Sequence, residues 1–341
     1  MIRRGWRHRS RAALAGACLV LAAPLAAQAA SPGFRPIALE ARQIDDFLPS
    51  LPEQVFGPLE FRGGLELTSS DRQFGSLSGL DFASDGTLYA VADRGRWFAA
   101  RPVEKDGRLV GLEGPRIAPI LNNAGQPLSG KAWGDAEGLR IRRDGDRDVA
   151  YVTFEGVNDL REFGGDDFVL ASSRSVALPR AARDLPHNKG LEGLAIAPEV
   201  GPLGGAIVVI AEESLGDSGR HGGWIVGGPE AGAFLIESAG NYGITDAAFL
   251  PDGDLLVLER SLRFPFGFTM RLRRIAGQDL APGATVDGEI LVEADLRYQI
   301  DNMEGLAVGR NEVGETIIAI VSDDNESPLQ RTLLLYFALK D

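Results

Sequence analysis

One short string, an acid followed by glycine and leucine, returns along this chain at nearly constant intervals. "EGLRI" starts at Glu137, "EGLAI" at Glu192 and "EGLAV" at Glu304, and "SGLDF" from Ser78 and "DAAFL" from Asp246 read as two further copies. Their glycine or alanine positions are 79, 138, 193, 247 and 305, so the steps are 59, 55, 54 and 58 residues. Self-similarity with a period in the fifties marks a propeller or another repeat array.

Within each copy the apolar residues alternate, as with Leu139 and Ile141 or Leu306 and Val308, which is the two-residue period of a strand. A turn follows: "SDGT" at 84–87, "RDGD" at 143–146, "PDGD" at 251–254, with Gly204-Gly205 and Gly314 serving in the third and fifth units. Asp-Gly suits the positive φ angles of a tight hairpin. A second, more continuous apolar strand comes next ("TLYAVAD", "VAYVTFE", "AIVVIAE", "LLVLE", "TIIAIVSD"), and about thirty more residues leave room for two outer strands. Four antiparallel strands repeated about an axis make a blade, so the chain is expected to be all-β, a β-propeller of five four-stranded blades. The fifth blade is closed from both ends of the chain, by "RTLLLYFAL" and by "LEFRGGLEL" at Leu59–Leu67. A sixth, irregular blade built from residues 34–75 is the alternative count. Two β-sandwiches would also give short strands and turns, but no reason for the same opening to recur at this interval.

Successive strands run antiparallel, so the start of the first strand and the end of the second lie on one face of the disc. Polar residues occupy both places: Ser78 with Asp93, Glu137 with Glu155, Glu192 with Glu212, Asp246 with Glu259, Glu304 with Asp323. These side chains are expected to meet at one mouth of the central channel, with the glycine after each acid permitting close approach of the inner strands. Like charges gathered in this way raise one another's pKa unless cations offset them. Arg94, Lys189 and Arg260 are internal candidates, and a hard cation such as Ca²⁺ suits clustered carboxylates. Asp324, Asn325 and Glu326 in "VSDDNES" add to the same rim, a likeness to a calcium loop in composition alone. The competing reading of each acid is a lock that accepts backbone N–H groups from the next blade.

Residues 1–29 read as a cleaved secretory signal, with Arg3, Arg4, Arg7, Arg9 and Arg11 ahead of an Ala/Leu run ending in Ala27-Gln28-Ala29. Arg3-Arg4 leaves twin-arginine export open beside the ordinary route, and Cys18 lacks the flanks of a lipidation site. Residues 30–58 are a lead segment and 59–341 the propeller. Without residues 1–29 no cysteine remains, so no disulfide holds the fold, and the net charge moves from −13 to −18 because five arginines and no acids are lost. That surface argues against nucleic acid and anionic membrane as partners. No second apolar run approaches the ~20 residues of a bilayer span. A periplasmic or secreted, monomeric protein is expected.

The strings "FGSLSGLDFASDGTLYAVADRGRW" (74–97), "GDAEGL" (134–139), "NKGLEGLAI" (188–196) and "NMEGLAV" (302–308) resemble the phytase-like family, also called "esterase-like activity of phytase", of exported bacterial proteins. The likeness covers most of residues 60–341. It implies a propeller and, through β-propeller phytases, calcium-assisted hydrolysis of phosphate esters, although the calcium-ligand pattern of those phytases is not reproduced here.

Other chemistries fit less well. "GDSGRH" at 216–221 looks like the surroundings of a protease serine, yet only His187 and His221 follow the signal, and a triad needs roles in space. Gly75-Ser76-Leu77-Ser78-Gly79 lacks the spacing of a hydrolase elbow. Two histidines and no cysteine make structural zinc a poor fit. Trp97-Phe98 reads as blade packing. The expected function is therefore metal-assisted hydrolysis of a phosphate ester or related ester, with a non-enzymatic binding propeller as the alternative. Glu137, Glu192, Glu304 and Asp93 are the catalytic candidates; Glu155, Glu212, Asp246, Glu259, Asp323 and Asp324 the metal ligands; Arg94, Lys189 and Arg260 the groups that orient an anionic substrate.

Overall fold

The repeat interval is the length of one sheet. A computed structural model describes residues 33–51, 54–128, 134–186, 190–214, 219–238, 240–263 and 267–340. The expected signal, residues 1–29, lies outside them, as do His187, Lys189 and Ser218.

Five sheets form from these residues, each with its repeat motif on an edge strand. In the first blade the inner strand Leu77–Phe82 is followed outward by Leu88–Ala92, Arg96–Lys105 and Arg108–Pro119. The second runs Ala136–Asp144, Arg147–Phe154, Asp159–Phe163, Arg174–Val176. The third runs Leu191–Ile196, Ile207–Ser214, Arg220–Val226, Gly232–Glu237, with Thr285–Val286 added in parallel. The fourth runs Gly243–Phe249, Leu255–Arg263, Gly267–Ile275, Glu289–Ala294. The fifth takes Asn302–Arg310, Thr316–Asp323 and Thr332–Leu339 from the end of the chain, then Leu59–Thr68 and Glu40–Ile44 from its beginning. Residues 34–75 thus extend the fifth sheet, and Arg35–Pro36 extends the first, so no sixth blade forms from them. The architecture is a five-bladed β-propeller closed by strands from both ends. Among the described residues no helix is long and apolar enough to cross a membrane.

The buried apolar residues fall into five clusters, one at each junction between neighbouring blades. Alternate residues of one strand serve different junctions: Ile318 and Ile320 face the fourth blade, while Ile317, Ala319 and Val321 face the first. A strand covered on both faces needs apolar residues throughout, which accounts for the continuous runs in the second strand of each unit. Glycine lets the inner strands close into a ring. A Cβ on Gly305 would lie 2.0 Å from the backbone oxygen of Ser78, and one on Gly79 would lie 2.4 Å from that of Glu137.

This close approach yields a first prediction. Gly305→Ala should destabilise the protein by about 3 kcal/mol or more, because backbone cannot yield as a side chain does. Gly111→Ala, where the added Cβ meets nothing closer than 3.8 Å, should be near neutral. Urea unfolding of the two variants measures the difference, and equal stabilities would contradict the account of ring closure.

Candidate metal and catalytic site

Each inner strand is irregular where its motif begins. In the fifth blade Met303 pairs with Ser322 and Gly305 with Val321, so Glu304 is the extra residue of a β-bulge. In the third, Leu191 pairs with Ala211 and Gly193 with Ile210, leaving Glu192 extra. Similar shifts fall at Ser78-Gly79 and Glu137-Gly138. A bulge bends the strand and re-aims a side chain, and here it turns the acid out of the ladder and into the channel mouth. In the third and fifth blades the following glycine stays in the ladder.

The fourth blade departs from this pattern by one residue. Ile244 pairs with Glu259 and Asp246 with Leu258, so the bulged residue is Thr245. Asp246 therefore stands in the glycine column, and the glycine-column steps on either side of it are 53 and 59 residues. The second strand follows suit. Asp323 pairs with Asn302, and Glu212 lies opposite Gly190, but the residue opposite Gly243 is Arg260. A one-residue slip sends side chains to the other face, so Asp246 and Glu259, both expected as metal ligands at the mouth, are not there. Asp246 is fully buried; its carboxylate accepts N–H groups from Leu306 and Ala247 at 2.8 Å each and pairs with Arg140 at 2.9 Å. Arg140 also donates to the backbone oxygens of Leu80 at 2.9 Å and Ala247 at 3.1 Å, tying the first, second and fourth blades across the axis. Glu259 is fully buried between Arg271 at 2.7 Å and Arg273 at 2.5 Å. Among the recurring acids that are described, the lock is made by Asp246, in the glycine column.

What remains at the mouth is acidic. Ser78 donates to Asp93 at 2.6 Å. Oxygens of Asp135, Glu137 and Glu155 lie within 4.8 Å of one another, as do oxygens of Glu155, Glu192 and Glu212. Burial, then the charges of Asp93, Asp135, Glu304 and Glu155, holds the Glu137 carboxyl well above the usual carboxylate range. Burial, then Glu212, Glu304 and Glu137, does the same to Glu192. Glu304 is pushed up to about 8, chiefly by burial, with Asp323, Glu212 and Asp93 adding and Arg260 opposing. Asp323 is pushed up to about 7 by burial and Asp93. The cation that the described residues bring here is Arg260, 3.1 Å from Glu212 and 3.0 Å from Glu304, and donating to Asn302 at 2.6 Å. Burial disfavours its charge, but Glu304, Glu192 and Glu212 offset that and raise its pKa.

Arg94 and Asp324, the other expected residues that are described, have partners of their own. Arg94 is exposed and pairs with Glu326. Asp324 uses its carboxylate to hold a loop, accepting from Ser76 N–H at 3.1 Å, Glu326 N–H at 3.0 Å and the Thr332 hydroxyl at 2.9 Å. Trp97 packs between blades against Phe163 and Phe168. Asp135 was missed in the sequence although it lies two residues before the acid of the second motif in "GDAEGL", and Arg140 carried no signal, since a charge within an apolar alternation reads as solvent-facing.

The oxygen donors and their spacing fit a hard cation: Ca²⁺ binds oxygens at about 2.3–2.6 Å, so its ligands can lie up to about 5 Å apart. A model of the phytase-like family, "esterase-like activity of phytase", matches residues 72–326. The chain belongs to that family. No curated protein matches it. Among solved structures, a thermostable family-43 glycoside hydrolase is similar at 9% identity and a TM-score of 0.48, covering 77% of this chain and 89% of its own. A Dyadobacter fermentans protein of unknown function is similar at 12% identity and a TM-score of 0.40, covering 91% and 100%. An endo-1,4-beta-xylanase from Bacteroides thetaiotaomicron gives 10% identity, 0.43, and coverage of 77% and 92%. Likeness at this level says nothing about chemistry.

Two predictions follow from the geometry. Arg140→Ala leaves the Asp246 carboxylate buried without its partner and should cost about 3–5 kcal/mol. Adding Asp246→Ala should recover part of that, a coupling of about 1–3 kcal/mol in a double-mutant cycle by urea unfolding; additive effects would contradict the lock. The second concerns pH. Folded-state pKa values of about 7 and 8 for Asp323 and Glu304 lie above the ordinary carboxylate range, so the native state binds more protons between about pH 4 and 8. Stability of the metal-free protein should therefore fall as pH rises from 5 to 8. His221, whose pKa burial lowers, acts in the opposite direction, but as one group against the ring. Melting curves in EDTA should show the higher Tm at pH 5, and a higher Tm at pH 8 would contradict the electrostatic description.

Proposed function

We propose that this phytase-like propeller is an exported, monomeric hydrolase that cleaves a small anionic phosphate ester, or a related ester, at the acidic channel mouth with the help of Ca²⁺. The observation that carries this reading is the convergence of acids from two blades in two triads, Asp135/Glu137/Glu155 and Glu155/Glu192/Glu212, each within cation-binding distance. Family membership supports it, and the apolar Ala/Leu run behind the N-terminal arginines supports export.

When bound, the cation would neutralise substrate oxygens and polarise a water. The chain's own residues account for the remaining work. The Asp135, Glu137 and Glu155 carboxylates, or those of Glu155, Glu192 and Glu212, would hold the cation. Glu304 Oε1 is held by Arg260 at 3.0 Å and by the Asn302 amide, which donates to it at 2.7 Å, so the carboxyl is fixed in orientation and, in its ionised form, suited to take a proton from an attacking water. Arg260 carries the positive charge that an anionic ester needs beside it. Below them the Arg140–Asp246 pair floors the channel, so substrate would enter from the acidic face.

Hydrolysis of p-nitrophenyl phosphate and p-nitrophenyl acetate tests this directly. Turnover should require Ca²⁺, vanish in EDTA, and drop by on the order of 10²-fold or more in Glu137→Gln and Glu304→Gln. Turnover indifferent to EDTA would refute the metal-assisted mechanism. Stabilisation by Ca²⁺ with no turnover on any ester would instead make the mouth a binding site for cationic ligands.

A further inference from the structure

We infer that the channel mouth binds two divalent cations about a shared carboxylate, Glu155, with one ion in the Asp135/Glu137/Glu155 triad and the other in the Glu155/Glu192/Glu212 triad. This deepens the metal-dependent reading above and rests on the mouth being a cation site. Glu155 belongs to both triads, yet the five residues do not form a single group within 4.8 Å. An ion centred in one triad leaves carboxylates of the other at or beyond the edge of its ligand shell, since ligands at about 2.3–2.6 Å span at most about 5 Å, whereas a carboxylate has two oxygens and can serve one ion with each.

A second observation points to a ligand. Glu192 is 8% exposed, and its Oε2 is buried without a hydrogen-bond partner. A buried carboxylate oxygen left unmatched is costly, and Glu192 belongs to the triad where a cation would satisfy it. The fold also makes room for Glu155 at the junction of the second and third blades. It opens a one-turn 3₁₀ segment, Glu155–Val157, that ends on Asn158 in the left-handed region at φ 46°. Facing it is Gly190 of "NKGLEGL", where a Cβ would lie 2.4 Å from Glu155 Cγ. Any larger residue would push the carboxylate from its place between the triads. The glycine ahead of the third motif, which the repeat does not explain, is accounted for by this crowding.

Two divalent ions bridged by a carboxylate form a clamp suited to an ester with two or more anionic oxygens on one centre, which favours phosphate monoesters over carboxylic esters. The test is the stoichiometry of Ca²⁺ binding to metal-stripped protein by isothermal titration calorimetry, with energy transfer from Tb³⁺ to Eu³⁺ as an independent sign of neighbouring ions. Wild-type protein should bind two ions and show transfer. Glu137→Gln and Glu192→Gln should each keep one site and lose transfer, and Glu155→Gln and Gly190→Ala should weaken both sites at least tenfold. A wild-type stoichiometry of one at the mouth, or a Glu155→Gln variant that keeps one site at full affinity, would overturn the inference. Melting curves in EDTA check folding, and removing a carboxylate charge from this group should leave stability equal or higher. Two bound ions without ester hydrolysis would refute the enzymatic reading and leave this inference standing, whereas metal-dependent hydrolysis with a single bound ion would do the reverse.

Discussion

Contact between inner strands at the axis governs the rest of this molecule. At three of the five positions the inner strands ring the channel with backbones closer than a Cβ would allow, and glycine supplies that approach at 79, 138 and 305. The bulge immediately before each glycine is the other half of the same solution. In the third and fifth blades the ladder keeps the small residue, and the residue before it is expelled toward the mouth. Closure and the acidic mouth thus have one structural cause, and an acid-glycine pair is what a repeat needs to satisfy both.

The fourth blade shows what happens when the pair is written differently. With Thr245 expelled and Asp246 kept, the glycine column gains a carboxylate, which finds Arg140 from across the channel. A buried carboxylate is tolerable only when its charge is matched and its lone pairs are used, and Asp246 meets that condition with two backbone N–H groups and a guanidinium. The same slip delivers Arg260 instead of an acid to the mouth. One blade therefore stiffens the ring and tempers the acidity that the others create.

Much of this was legible in the letters. The period, the Asp-Gly turns and the doubly covered second strands announce a propeller because each is a local consequence of blade geometry, and the use of both chain ends to close the fifth sheet follows from counting strands. The gathering of Glu137, Glu155, Glu192, Glu212 and Glu304 was equally readable, since antiparallel pairing puts strand starts and ends on one face. What failed was register in the fourth unit. "ITDAAF" fits "MEGLAV" with Asp in the glycine column, but matching acid to acid shifts it by one, and a bulge leaves no mark in hydrophobic alternation. Asp135 was hidden because it lies just before its strand, and Arg140 because a buried arginine is recognisable only from the partners that bury it. The exposed pairing of Arg94 with Glu326 depends on a loop conformation that spacing does not encode.

The account stands on sequence-distant carboxylates sharing one mouth and acting there as a cation site. An anomalous-difference map from crystals soaked in a lanthanide salt tests that most directly. Strong peaks are predicted among Asp135, Glu137, Glu155, Glu192 and Glu212, on the face away from the Arg140–Asp246 pair. A map whose peaks lie on the outer surface of the blades, with none at the mouth, would contradict it.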